Sequence, residues 1–163
     1  MDVFEAIRTR RSVRAFTGEA IPREDLEKIV DAGRLAATGS NKQPWDFVVV
    51  TDRGMIDQLK TASQWMEKAA AIIAVVMDPE SRWWVEDGAA AVQNMLLAAT
   101  ALGYGSCWLE GYTLRHEDAF KVLLGVPAER RLMTLVPIGV PVQWPTKEKK
   151  TLEQVIHWEH YSR

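Results

Sequence analysis

Of the 163 residues only one is cysteine and three are histidine, and 20 basic residues nearly cancel 22 acidic ones, leaving a formal net charge of −2. A lone thiol, Cys107, cannot close an internal disulfide, so the reducing cytoplasm is the expected compartment. Its plainest role is that of a small buried thiol on a strand. The balanced charge excludes a general nucleic-acid binder, which needs a basic face. The longest apolar run, Ala69–Met77, is too short to cross a bilayer, so no membrane partner is expected. Arg10 and Arg11 mimic a twin-arginine leader, but polar residues from Thr17 to Asp25 follow where an apolar stretch is required. Asp2 and Glu5 likewise disfavour a transit peptide.

Familiar catalytic signatures are missing too. Gly103 and Gly105 lack the third glycine of a dinucleotide fingerprint and precede a strand instead of following one. His157, Glu159 and His160 supply two imidazoles without a clear third metal ligand. His116 stands alone, and no nucleophile turn accompanies it. A composition 47% hydrophobic and 26% charged predicts one ordinary globular domain over residues 1–163.

What the chain does have is an alternation of helical and strand patterns. An amphipathic stretch over Asp2–Arg8 offers Val3, Phe4 and Ile7 to a core. Pro22 with Glu24 and Asp25 marks a helix start, continued by Leu26, Ile29, Val30, Gly33 and Ala37. Phe47–Thr51 and Ala70–Met77 read as strands, with Asp52 capping a helix through Leu59 between them. Ser81–Gly103 reads as the longest helix, apolar nearly all round beyond Gly88. One small domain struggles to surround such a helix, which predicts a homodimer with this helix near the shared core. Trp83 and Trp84 at its start serve either as packing anchors or as a ring beside a ligand. Ser106–Leu109 reads as a third strand, Leu114–Leu124 as a helix, and Leu132–Val140 as a fourth strand. Pro137 places that last strand at an edge or a bulge. Thr151–His157 closes the chain as a short helix capped by Thr151.

Three segments carry possible chemistry. Arg8, Arg10, Arg11 and Arg14 crowd around Ser12, and guanidinium forks match phosphate oxygens two at a time at any relevant pH. Lys147, Lys149 and Lys150 form a second basic cluster near the other end of the chain. The two clusters either converge on one phosphate or remain solvated faces. The loop from Thr38 to Trp45 holds Gly39 and Ser40, able to bare backbone N–H groups, and the amides of Asn41 and Gln43, able to read heteroatoms of a planar ligand. Leu109, Glu110 and Gly111 lie at a strand end, where a glycine allows a flat ring to approach the backbone.

Taken in order, Arg10–Arg14, Ser40–Trp45, Glu86–Ala89 with the helix that follows, Leu109–Gly111 and Pro137–Pro141 resemble the FMN-dependent nitroreductase family over essentially the whole chain. The resemblance implies an α+β fold with a mainly antiparallel sheet flanked by helices, and an intertwined homodimer with FMN at the subunit interface. By that resemblance Arg10 is a phosphate ligand, Ser12 a phosphate or ribityl contact, and Arg11 a support for the phosphate end. Arg14 is the cation near flavin N1 and O2. Thr38, Gly39, Ser40 and Asn41 reach the flavin from the other subunit. Glu110 and Gly111 lie near N5, with Leu109 against the ring. Lys147 and Lys149 complete the phosphate site, with Lys150 the alternative to Lys149. Ala37 and Thr38 stand where many relatives carry Pro-Ser, and no segment corresponds to a substrate lid.

The implied activity is hydride transfer from NADH or NADPH through FMN to a nitroaromatic, a quinone or a related small-molecule acceptor, with ping-pong kinetics and no side-chain nucleophile. Two alternatives share the site: a specialised flavin reaction such as reductive dehalogenation, and an FMN-binding storage or sensing protein. A basic RNA-binding module is disfavoured because the clusters lack interleaved aromatics.

Overall fold

The most apolar run of the chain becomes the middle of its sheet. The structure, a computed structural model, describes residues 1–162, apart from the side chain of Ala62. Strand β2 (Ala71–Met77) is buried along its whole length. It lies between β1 (Trp45–Val50) and β4 (Arg131–Gly139), with the short β3 (Gly105–Ser106) on the far side of β4, all antiparallel. Because side chains alternate across a strand, Ala71, Ile73, Val75 and Met77 enter one apolar cluster and Ile72, Ala74 and Val76 the other.

Among the described residues the α-helices follow the chain order α1 (Val3–Thr9), α2 (Arg23–Arg34), α3 (Arg53–Leu59), α4 (Trp84–Ala101), α5 (Gly111–Arg115) and α6 (Glu117–Leu124). Helices α2 and α4 cover the first cluster, while α3 and α6 contribute Ile56, Leu59 and Phe120 to the second. Asp52 caps α3 as expected, its carboxylate accepting the Met55 N–H at 2.8 Å. The α+β architecture with an antiparallel sheet is the one expected from the sequence.

Several local expectations give way to packing. In α1 it is Ala6 that is buried, while Val3, Phe4 and Ile7 are 60%, 69% and 53% exposed. Helix α4 is better enclosed than its composition suggests. Gly33 lets α2 approach so closely that a methyl there would lie 2.8 Å from Met95 Cγ, and Ala91, Val92, Met95 and Ala99 are fully buried within one protomer. The expected third strand shrinks to Gly105–Ser106, with Leu109 bridging singly to Leu135. The expected Leu114–Leu124 helix breaks at His116, whose φ of −119° and ψ of 15° interrupt the helical path, giving α5 and α6. The final helix is a single 3₁₀ turn at Leu152–Gln154.

Pro137 sits in the body of β4, in register with Ile72, neither at the sheet's edge nor at its bulge. Its carbonyl accepts the Cys107 N–H on the side where β3 has already ended, so the missing proline N–H costs the ladder little. The bulge lies instead at Met133, which is skipped between Thr134 opposite Val75 and Leu132 opposite Val76. That extra residue reverses the alternation of β4 and drives the Met133 thioether against Gly88 of α4.

Candidate functional site

The segment after α1 is fastened to the sheet by Val13 and Phe16, three residues apart. Val13 is fully buried, and its side chain lies against Gly105, where a methyl would approach it to 2.8 Å. Phe16 fits over Gly139 in the same way, at 2.8 Å. The Val13 N–H donates to the Ser106 carbonyl at 2.9 Å. With Val13 and Phe16 turned inward, Ser12 and Arg14 face outward. Burying Val13 alone is worth about 1.5–3 kcal/mol, enough to hold this register.

The same segment then guides the other end of the chain. Thr17 N–H donates to the Val140 carbonyl and Val142 N–H to the Ala15 carbonyl, each at 3.0 Å. This short zipper turns the residues after β4 back over the arginines. The outcome is one open cleft of about 460 Å³ lined by Arg10, Arg11, Ser12 and Arg14 from one end and Lys147 and Lys149 from the other. Gln143, Pro145 and Glu148 also line it, whereas Lys150 does not. The two basic clusters converge, with Lys147 and Lys149 on the wall of this cleft.

Each cation is held differently. Arg11 turns under the backbone, donating from Nη1 to the carbonyls of Arg8 at 2.7 Å and Arg10 at 2.8 Å, so it braces the end of α1. Its Nε is buried without a partner among the described residues. The Arg14 guanidinium lies 5.9 Å from the centre of the Trp65 ring, a support that sequence reading missed. Cys107 is buried just behind, and burial pushes its thiol pKa up, opposed by the charges of Arg14 and Arg10 and by the Ser12 hydroxyl. It is a buried, packed thiol.

The Thr38–Gln43 loop is a different construction. Ser40, Asn41 and Gln43 take left-handed φ values of 51°, 55° and 50°, which non-glycine residues adopt only when the surroundings enforce them. Gly39 is obligatory for space, because a methyl there would lie 2.4 Å from Cδ1 of Trp83. The Gly39 N–H donates to Asp87 Oδ1 at 3.0 Å, and the Gln43 N–H to Thr38 Oγ1 at 3.2 Å. Gln43 spends its own amide on the Asn41 carbonyl at 3.2 Å, which leaves the side chains of Ser40 and Asn41 exposed.

At the third segment Leu109 is buried in the second apolar cluster and exchanges backbone hydrogen bonds with Leu135. Glu110 and Gly111 open α5. A methyl built on Gly111 meets nothing within 4 Å, so the chain's own packing does not require a glycine there. The donor set of the cleft suits a phosphate monoester, and the open face at Gly111 suits a flat ring. On both counts the residues present fit an FMN-like mononucleotide.

Asp87 is the other support that sequence reading did not assign to the site; Trp83, left open there between packing anchor and ring beside a ligand, lies against Gly39. Asp87 stands beside Glu86 in the first turn of α4, where acids are ordinary, so the sequence carried little signal for its role. Among the described residues no helix is long and apolar enough to cross a membrane, and no group of three His, Cys, Asp or Glu side chains could hold a metal ion.

Comparison with known proteins agrees with this geometry. The model of the nitroreductase family matches residues 7–65 and 54–140. A protein of Archaeoglobus fulgidus named NADH dehydrogenase/NAD(P)H nitroreductase is 40% identical over 149 residues, 86% of each chain. The structure of a nitroreductase with bound FMN from Bacteroides fragilis superposes with a TM-score of 0.83 at 30% identity, covering 96% of this chain and 98% of that one. A nitroreductase in complex with FMN from Desulfovibrio desulfuricans gives 0.86 at 31% identity, covering 99% of both. This chain belongs to the nitroreductase family.

Proposed function

We propose that this protein is a homodimeric FMN-dependent oxidoreductase that carries hydride from NADH or NADPH to a nitroaromatic, a quinone or a related small acceptor. The observation that carries the reading is the single cleft into which both ends of the chain direct their cations. FMN-bound relatives and a relative named for NAD(P)H support the cofactor and the donor.

In this reading Arg10, Ser12, Lys147 and Lys149 hold the phosphate, with Arg11 bracing the backbone that presents Arg10. Arg14, supported by Trp65, supplies the positive charge that favours the anionic character of the reduced ring. Glu110 and Gly111 offer backbone to the ring, and Gly111 leaves it room. Thr38, Gly39, Ser40 and Asn41 reach the ring from the partner subunit. When bound, FMN supplies the hydride chemistry; the protein supplies orientation, charge and a face open to donor and acceptor in turn, hence ping-pong kinetics.

The homodimer is supported by apolar surface that one protomer leaves uncovered: the Val3, Phe4 and Ile7 face of α1, and Trp158 near the C-terminal end, 75% exposed. A second copy of this chain covers both. With one buried cysteine and no free pair to oxidise, the cytoplasm is the proposed compartment.

Anaerobic mixing of the FMN-loaded protein with NADH and with NADPH tests the activity. Rapid bleaching of the yellow colour, reversed by a quinone or nitroaromatic, is expected. A loaded protein that bleaches with neither donor is a flavin binder without reductase activity.

A further inference from the structure

We propose that Asp87 is a positioning residue: from behind, it holds the Thr38–Gln43 loop in the shape that receives the cofactor ring. The proposal rests on the flavin reading above and names a residue to which that reading gives no role.

Asp87 lies in the first turn of α4, with Gly88 and the apolar part of the helix immediately after it, and is only 4% exposed. A carboxylate in such a place is costly unless it is fully hydrogen-bonded. It is only half satisfied: Oδ1 accepts the Gly39 N–H at 3.0 Å, while Oδ2 is buried without a partner among the described residues. The start of a helix suits an acidic side chain, but this one is buried and its single hydrogen bond goes to the loop, which marks the carboxylate as serving the segment it holds. That segment carries three non-glycine residues in left-handed conformation, Ser40, Asn41 and Gln43. Its other restraints are local or steric: hydrogen bonds within residues 38–43 and the Trp83 ring against Gly39. Asp87 is the polar tie between this loop and the helical layer, 48 residues away in sequence. The side chains of Ser40 and Asn41 are exposed, so the enforced shape does not serve the core of its own protomer. It sets the direction in which those two polar groups are offered.

The test compares wild type, Asp87→Asn and Asp87→Ala by FMN titration, visible circular dichroism of the bound flavin, and amide exchange at Gly39 in the apoprotein. Asparagine retains an oxygen able to accept from Gly39, whereas alanine does not. Asp87→Ala is expected to weaken FMN binding about tenfold, alter the visible dichroism and speed Gly39 exchange. Asp87→Asn is expected to stay within about threefold of wild type on all three readouts. Competition by inorganic phosphate should be unchanged in both, since the cationic cleft is untouched. Should Asp87→Ala not fold, Asp87→Ser takes its place, its hydroxyl too short to reach Gly39.

Wild-type FMN affinity and dichroism in the alanine variant would overturn the role of Asp87 alone. An asparagine variant as impaired as the alanine one, with Gly39 still protected, would overturn it as well. A wild-type protein that takes up no FMN would remove the flavin reading itself and the role of Asp87 with it.

Discussion

The cationic cleft is made of exposed and half-buried side chains from the two ends of the chain, whereas the Thr38–Gln43 loop and Gly111 offer backbone whose shape is set from behind. Arg10, Arg14, Lys147 and Lys149 reach a common space because a few main-chain hydrogen bonds zip residues 15–17 to residues 140–142. Their charge acts over several ångströms and tolerates small errors of placement. The ring-facing elements have no such tolerance. Gly39 is closed in by Trp83, Gly111 opens to empty space, and the loop between them in function depends on one buried carboxylate. Long-range charge can be assembled from mobile parts; close contact with a flat ring requires a fixed backbone.

Substitutions in the two regions should therefore fail differently. The largest effect is expected from Arg10→Glu, which replaces a phosphate donor with a repelling charge. FMN affinity should fall about 100-fold, the value of one or more charge-assisted hydrogen bonds, as read by fluorescence titration. Arg14→Ala should divide the other way, slowing anaerobic flavin reduction about tenfold while weakening FMN retention no more than about threefold. Equal losses on both steps in both variants would erase the distinction between phosphate grip and ring electrostatics.

The two glycines sharpen the contrast on the ring side. Gly39→Ala forces a methyl into the Trp83 ring and should lower apoprotein stability by about 1–3 kcal/mol in thermal or urea unfolding. Gly111→Ala meets nothing in the protomer, so apoprotein stability should move by less than about 0.5 kcal/mol while FMN affinity falls. If both variants lose stability alike, the open space at Gly111 is not reserved for a ligand.

The smallest effect on FMN is expected at Glu117, whose hydrogen bonds go to Arg131 and Leu132 and not to the cleft or the loop. It accepts from Arg131 Nε at 2.8 Å, from Arg131 Nη2 at 2.9 Å and from the Leu132 N–H at 2.9 Å. The Arg131 guanidinium beside it holds its carboxyl below the usual carboxylate range. A lowered folded-state pKa stabilises the fold above the unfolded value of about 4.3 and is lost as pH falls toward the folded value. Glu117→Gln should cost about 1–2 kcal/mol at neutral pH, with the gap to wild type closing below about pH 4, and should leave FMN affinity unchanged.

The same division explains how much could be read before the fold was known. Charge and apolar runs announce themselves by residue type, so the two basic clusters, the strands β1 and β2 and the Asp52 cap were all legible. The inward face of α1 was not, because Val3, Phe4 and Ile7 form a helical stripe whichever surface covers it. Pro137 misled because the strand that would have needed its N–H had already ended at Ser106. The left-handed residues of the Thr38–Gln43 loop, the Trp65 support beneath Arg14 and the tie from Asp87 to Gly39 depend on tertiary neighbours and leave little trace in local sequence.

The central claim is that cations from the two ends of the chain grip one phosphate, and comparing FMN with riboflavin tests it most directly. The wild type should bind FMN at least about 100-fold more tightly than riboflavin. That preference should shrink sharply in Arg10→Ala and again in the Lys147→Ala/Lys149→Ala double variant, while riboflavin affinity stays constant. Equal affinity for the two flavins, or a preference indifferent to the lysines, would contradict it.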